Sequence, residues 1–340
     1  MYRKIHRKTT MLLIILALTF SGTASVFTQD AAPATPEDEN AARSLYLPLV
    51  QVGQQTAAET EVSTDAANTV EAGSSQSGAR NNRCGDGGGR RRGNLEVVGL
   101  TADQRLICFD ETNPSQATTI GTVAGLTVDT SLVGIDFRPA SGELYGLGNA
   151  GGVYTLNIDT AQATLRSRLN VALSGSFFGV DFNPVVDRLR IISDNGQNLR
   201  ANVDDGTTNV DGSLAYTPGT PATGVAGVAY TNNDSDPNTA TTLYDIDSML
   251  DQVAIQSPAN SGQLVATGKL TVDTTAAIGF DIYSTVRNGS TTDIRALASL
   301  VVDGRARFYG IMLFTGKASL RGTFNIQNQV IGIAIPLNQL

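Results

Sequence analysis

Apolar and polar residues alternate at every second position in residues 133–138, and Pro139-Ala140-Ser141-Gly142 then interrupts the run. Period-two alternation closed by turn formers predicts a strand and a hairpin. The pattern continues with strands at 143–148, 152–158 and 163–169, and Asp159-Thr160 turns the chain before the last of them. A second unit repeats the order at 178–182, 188–193 and 197–203, with a weaker fourth strand around 214–216. Hairpins in series make an antiparallel meander.

One phrase anchors each unit. Val133-Gly134-Ile135-Asp136-Phe137 returns as Phe178-Gly179-Val180-Asp181-Phe182, Ala226-Gly227-Val228-Ala229-Tyr230, Ile278-Gly279-Phe280-Asp281-Ile282 and Ile331-Gly332-Ile333-Ala334-Ile335. From glycine to glycine the steps are 45, 48, 52 and 53 residues, the length of a four-stranded propeller blade. The opening runs 97–101 and 105–110 align with the second and third strands of a unit, so the first blade lacks its inner strand. The last anchor phrase has no blade after it and supplies that strand. The expected fold is all-β, a five-bladed β-propeller of four-stranded antiparallel blades over residues 94–340, closed by the C-terminal strand.

These residues also carry a family likeness. Gly134-Ile135-Asp136-Phe137-Arg138-Pro139 with Leu144-Tyr145-Gly146-Leu147, then residues 182–190 (FNPVVDRLR) and 193–200 (SDNGQNLR), resemble a bacterial family of secreted β-propeller-like domains classified only as a domain of unknown function. Residues 230–233 and 241–247 extend the resemblance, which covers about 95–283 well and the last blade less well. It implies the architecture and brings no activity.

The first ninety residues read differently. Arg3, Lys4, Arg7 and Lys8, the apolar run 11–20 and the small residues 21–24 have the layout of a secretory signal peptide. The run is too short to span a bilayer core, so cleavage near Ala24 is expected, with no integral membrane segment afterwards. Residues 25–93 are rich in Ala, Thr, Glu, Ser and Gly and predict a disordered linker, with one apolar island at 45–50 and an Arg run at 90–92. The expected location is secreted, extracellular or periplasmic.

Composition then narrows the chemistry. The chain has 24 Lys and Arg against 32 Asp and Glu. Loss of the signal leaves a charge of about −12, which argues against nucleic acid as a partner. The single histidine, His6, lies within the signal, so His-based catalysis and His-ligated metals are excluded from the mature chain. Tryptophan is absent, which removes Trp platforms for sugars. Cys84 and Cys108 are the only cysteines, and in an oxidising compartment they are candidates for a disulfide, a free buried Cys108 being the alternative.

Three groups of residues are candidates for function. Asp136, Asp181 and Asp281 hold one position on three inner strands; they are candidate catalytic carboxylates or acceptors for backbone turns. Arg188, Arg190, Gln197, Asn198 and Arg200, with Asn232 and Asn233, offer guanidiniums and amides for a sugar or carboxylate ligand, or an interblade network in which Asp187 and Asp194 satisfy the arginines. Asp204, Asp205, Asp234 and Asp236 are weak calcium candidates in loops that Asx turns also explain. No cofactor is expected beyond calcium. The primary reading is a non-enzymatic binding or scaffold module for an extracellular glycan, peptide or envelope component. A carboxylate-based glycoside hydrolase and a purely structural adhesion domain are the alternatives, and the residues leave the oligomeric state open.

Overall fold

The structure is a computed structural model that describes residues 93–339 except 218, 233, 235, 237, 238, 288, 289, 327 and 328. The expected signal peptide, the linker up to residue 92, Cys84 and Asn233 lie outside the described residues.

Five sheets follow one another along the chain as the blades of a propeller. Blade 2 is Leu132–Phe137, Leu144–Gly148, Gly152–Leu156 and Ala163–Arg168, each strand paired antiparallel to the next. Blade 3 is Phe178–Asn183, Arg188–Ser193, Asn198–Ala201 and Thr208–Val210. Blade 5 is Gly279–Arg287, Ser290–Val302, Arg305–Ile311 and Ala318–Thr323. Asx turns close several hairpins: Val185 and Val186 N–H donate to Asn183 Oδ1, and Met249 and Leu250 N–H donate to Asp247 Oδ1.

Blade 1 is made from both ends of the domain. Glu96–Thr101, Arg105–Asp110 and Thr118–Thr122 receive Val330–Ala334 as their inner strand, with Val98 opposite Ala334 and Leu100 opposite Gly332. The tail is clamped again beyond the strand. Glu96 N–H donates to Gln339 Oε1 at 2.8 Å, Gln339 Nε2 returns a bond to Glu96 O at 2.9 Å, and Gln339 N–H donates to the Tyr283 hydroxyl. Closure in this way leaves blade 1 without an exposed inner edge.

The expected fourth strand of blade 3 is corrected by the structure. Thr208–Val210 takes that place, and Ala215–Tyr216 pairs in parallel with Gln263–Lys269 of blade 4. Tyr216 anchors the crossing, since its hydroxyl donates to Asp247 Oδ2 at 2.8 Å. Blade 4 therefore carries Val225–Tyr230, Leu243–Asp247, Gln252–Gln256 and Gln263–Lys269 plus an outer extension of Ala215–Tyr216 and Thr220–Pro221. It is six-stranded, where four strands were expected.

Each interface between neighbouring blades has its own apolar core. Leu144 and Tyr154 of blade 2 pack with Val98 and Leu106 of blade 1, while Tyr145 and Val153 on the opposite face pack with Phe182 and Ile191 of blade 3. A blade strand is thus buried on both faces. Between blades 5 and 1 the rings of Phe109, Phe308 and Phe324 meet edge to face, with centroids 5.0 Å apart for Phe109 against each partner.

The recurrent glycine answers to the ring's axis. A Cβ on Gly279 would lie 2.8 Å from Gly332 C and Ile333 N, and one on Gly179 would lie 2.9 Å from Val228 N. One on Gly134 would lie 2.6 Å from Val180 Cγ2. Each glycine of these three faces the inner strand of the following blade, so a methyl group would force neighbouring backbones or a packed valine apart. Gly332 is looser: its added Cβ would meet Ile135 Cγ1 at 3.5 Å, an ordinary contact. We expect Gly279→Ala to cost about 1–3 kcal/mol in urea unfolding through overpacking. Gly332→Ala is expected to be neutral or stabilising by up to about 1 kcal/mol through reduced unfolded-state entropy.

Candidate functional site

Two positions past each anchor glycine, the inner strands of blades 2, 3 and 5 carry Asp136, Asp181 and Asp281, all buried. The carboxylates converge on the axis, and one oxygen from each lies within 4.8 Å of the others. Their partners are backbone amides three positions past the glycines. Phe182 N–H donates to Asp136 Oδ2 at 2.7 Å, Tyr230 N–H to Asp181 Oδ1 at 3.0 Å and Ile335 N–H to Asp281 Oδ2 at 2.6 Å. In each case the acid of one blade accepts from the next.

Blades 1 and 4 have Ala334 and Ala229 at the acidic position. The amides those blades leave unserved are taken by acids on the amides' own strands. Phe137 N–H donates to Asp136 Oδ1 and Ile282 N–H to Asp281 Oδ1. Five amides are therefore held by five of the six carboxylate oxygens, and Asp181 Oδ2 has no hydrogen-bond donor among the described residues. The three acids border a cavity of about 20 Å3 together with Pro139, Tyr230, Asn232 and Leu337. That volume suits a water-sized occupant and is far too small for a sugar ring. Burial, followed by repulsion from neighbouring acids, pushes Asp136 and Asp181 well above the ordinary carboxylate range. Burial also raises Asp281, to about 7, against the opposing effect of its two amides.

The blade 3 constellation is present but turned inward. Arg190 is 1% exposed; its guanidinium donates to Asn198 Oδ1 at 2.7 Å, Asp211 Oδ2 at 2.6 Å, Asn260 Oδ1 at 2.9 Å and the Tyr230 hydroxyl at 3.3 Å. Arg200 Nε donates to the same Asp211 oxygen, and Asn198 Nδ2 bonds Gly212 O and Ala259 O. The group ties blade 3 to the turn Ala259–Ser261 of blade 4. Arg188 bends to the carbonyls of Val186 and Asp187, and Gln197 spans Ser174 N–H and Ala172 O. Asn232 is buried, taking Asp234 N–H and donating to Thr239 O.

The acids expected to satisfy the arginines do other work. Asp187 takes two bonds from Arg138 of blade 2, and Asp194 Oδ1 accepts Ser176 N–H. Asp211 replaces them, and no feature of Val210-Asp211-Gly212 marks it in the sequence. Among the weak calcium candidates, Asp204 pairs with Arg138 and Arg166, which pull it down to about 2. Asp205 accepts Thr207 N–H and Asn202 Nδ2, and Asp234 accepts Asp236 N–H. Asp236 is exposed. Cys108 is buried and disulfide-bonded.

A family model described as a domain of unknown function matches residues 105–334, more than half of the chain. The chain belongs to the DUF4394 family. No curated protein matches it. Among solved structures it is similar to a Bacteroides thetaiotaomicron protein of unknown function, at 14% identity and a TM-score of 0.39, over 52% of this chain and 44% of that one. It is also similar to an auxiliary nutrient binding protein from the same organism, at 16% identity and a TM-score of 0.33, over 50% and 46%. Saccharomyces cerevisiae Sqt1 matches at 13% identity and a TM-score of 0.33, over 71% and 61%. The DUF4394 chain thus spans less than half the length of the first two.

One further group in this DUF4394 ring escaped the sequence reading. Asp245, on the second strand of blade 4, is fully buried with neither carboxylate oxygen hydrogen-bonded, and Gln256 Oε1 is likewise unpaired. Burial first, then Asp247, raises the Asp245 pKa well above its ordinary value, while Arg190 opposes the rise. The folded chain therefore keeps a proton that the unfolded chain releases above about pH 4. Its contribution to stability is greatest in acid and declines as pH rises through the raised pKa. Asp245→Asn removes the titration, so wild-type stability minus that of Asp245→Asn is expected to shrink steadily from pH 4 to pH 8 in chemical denaturation.

Proposed function

We propose that this protein is a secreted or cell-surface binding or scaffold module that presents a rigid ring to an extracellular glycan, peptide or envelope component. The observation that carries this reading is the use made of the axial acids. In a carboxylate hydrolase two acids flank a bound sugar, about 5–5.5 Å apart for retention or 6.5–9.5 Å for inversion. Here the acids hold five backbone amides around a cavity of about 20 Å3. Such carboxylates fasten blades together, and their neighbours leave no room for substrate.

The blade 3 cluster supports the same view. Arg190 and Asn198 are spent on interblade bonds, which makes the frame stiff and leaves recognition to the loops at strand ends. Secretion follows from the basic, apolar and small-residue order of residues 1–24.

The test uses the full chain expressed in an exporting host, screened on glycan arrays, envelope polysaccharides and peptides. Binding without release of reducing ends is the expected outcome. Release of reducing ends by the wild type, abolished by Asp136→Asn, would overturn the reading in favour of a hydrolase.

A further inference from the structure

Buried carboxylates are paired with cations, bonded to donors or neutralised, because an isolated charge in a low-dielectric interior is strongly disfavoured. Three stand together on this axis, and no Lys or Arg lines the cavity they border. Their amide partners leave one oxygen over. Asp181 is 4% exposed and lines that cavity, its Oδ1 accepts Tyr230 N–H, and its Oδ2 has no donor among the described residues. That oxygen is not one of the fully enclosed unpaired atoms of the described residues, so an occupant of the cavity can reach it.

We infer that the axial trio Asp136, Asp181 and Asp281 is a binding site for one calcium-class divalent cation, which joins blades 2, 3 and 5 across the centre of the ring. The donor set is oxygen only, as hard cations require. Size agrees as well. Oxygens bound to a calcium ion at about 2.3–2.6 Å lie no more than about 4.6–5.2 Å apart. The three carboxylate oxygens already lie within 4.8 Å of one another, so they can close on such an ion with little movement. The cavity of about 20 Å3 has room for a single ion or water at that point.

The amides do not compete with the ion. Each bonded oxygen keeps a second lone pair, and an N–H donating to a carboxylate favours its ionised, ligating form. The five amides thereby fix the orientation of the acids before any ion arrives, which lowers the ordering cost of binding. This site differs from the loop acids considered from sequence. Asp204 is occupied by two arginines, and Asp205 and Asp234 by turn donors. The inference is independent of what the ring binds outside, since a hydrolase or a scaffold could hold the same ion.

The experiment takes the full chain, strips it with a chelator, re-equilibrates it with calcium chloride, and measures bound calcium by elemental mass spectrometry and the melting temperature by calorimetry. One calcium per chain is expected, with a rise of roughly 5–10 °C at saturation. Asp181→Asn keeps an acceptor for Tyr230 N–H and removes the spare oxygen; it is expected to fold, bind no calcium and show no rise. Asp205→Asn is expected to behave as wild type. Absence of bound calcium in the wild type would sink the proposal whatever the variants do. Equal calcium binding by Asp181→Asn would sink it too, by placing the ion elsewhere.

Discussion

The ring is governed by how closely five inner strands approach one axis. Four of the five recurrent glycines, Gly227 among them with Ile278 at 2.8 Å, leave no room for a methyl group against the next blade. That proximity turns the axial edge of each inner strand away from water while its N–H groups still need acceptors. No further strand can enter the centre to supply them. Side chains must do it, and the aspartates two positions after the glycine are placed for the purpose. Glycine and aspartate in the anchor phrase are therefore two answers to one crowding.

Closure depends on the same geometry and adds its own polar latch. Glu111 of blade 1 is almost fully buried and takes Leu95 N–H together with bonds from Arg295 and Arg321 of blade 5. Beside it the three phenylalanines fill the interface, and Gln339 clamps Glu96. The junction between blades 5 and 1 is thus tied by ion pairs, aromatic packing and a side-chain clamp together. Removing the arginines would leave the Glu111 carboxylate buried without a charge partner, and that liability, more than any net gain from the pairs themselves, is what makes the latch hard to dispense with.

What was legible in the sequence follows from this. Constraints that act identically on every blade leave a repeated mark, and the anchor phrase disclosed the blade number and the role of residues 330–335. Interactions that occur once leave none. Asp211 binds Arg190 and Arg200 at a single interface, and the crossing of Ala215–Tyr216 to blade 4 depends on one hydroxyl meeting Asp247. Alternation alone located a strand near residue 215 but could not say which sheet it would join, because two-residue pairings have almost no pattern. Asp245 was hidden for a related reason: an acid at the centre of Leu243–Asp247 looks like a solvent-facing position, whereas propeller strands are buried on both faces.

The spare oxygen of Asp181 is a consequence of the odd number of blades. An aspartate on one inner strand can reach two amides, that of its own strand and that of the next. Asp136 serves blades 2 and 3, and Asp281 serves blades 5 and 1. Two acids thus cover four positions, and blade 4 remains. A third acid is required, and whichever strand carries it, one of the two amides within its reach is already taken. Asp181 holds Tyr230 of blade 4 and finds Phe182 of its own blade bonded to Asp136. Fewer than three acids would leave an amide unpaired; five would add two more carboxylates to a crowded axis, each raising the repulsion on the others. Ala229 and Ala334 fit this limit: they stand where acids would be redundant. Pairs cannot tile a five-membered ring, so a propeller of this kind that satisfies its inner amides with aspartates must carry an unused carboxylate oxygen at its centre.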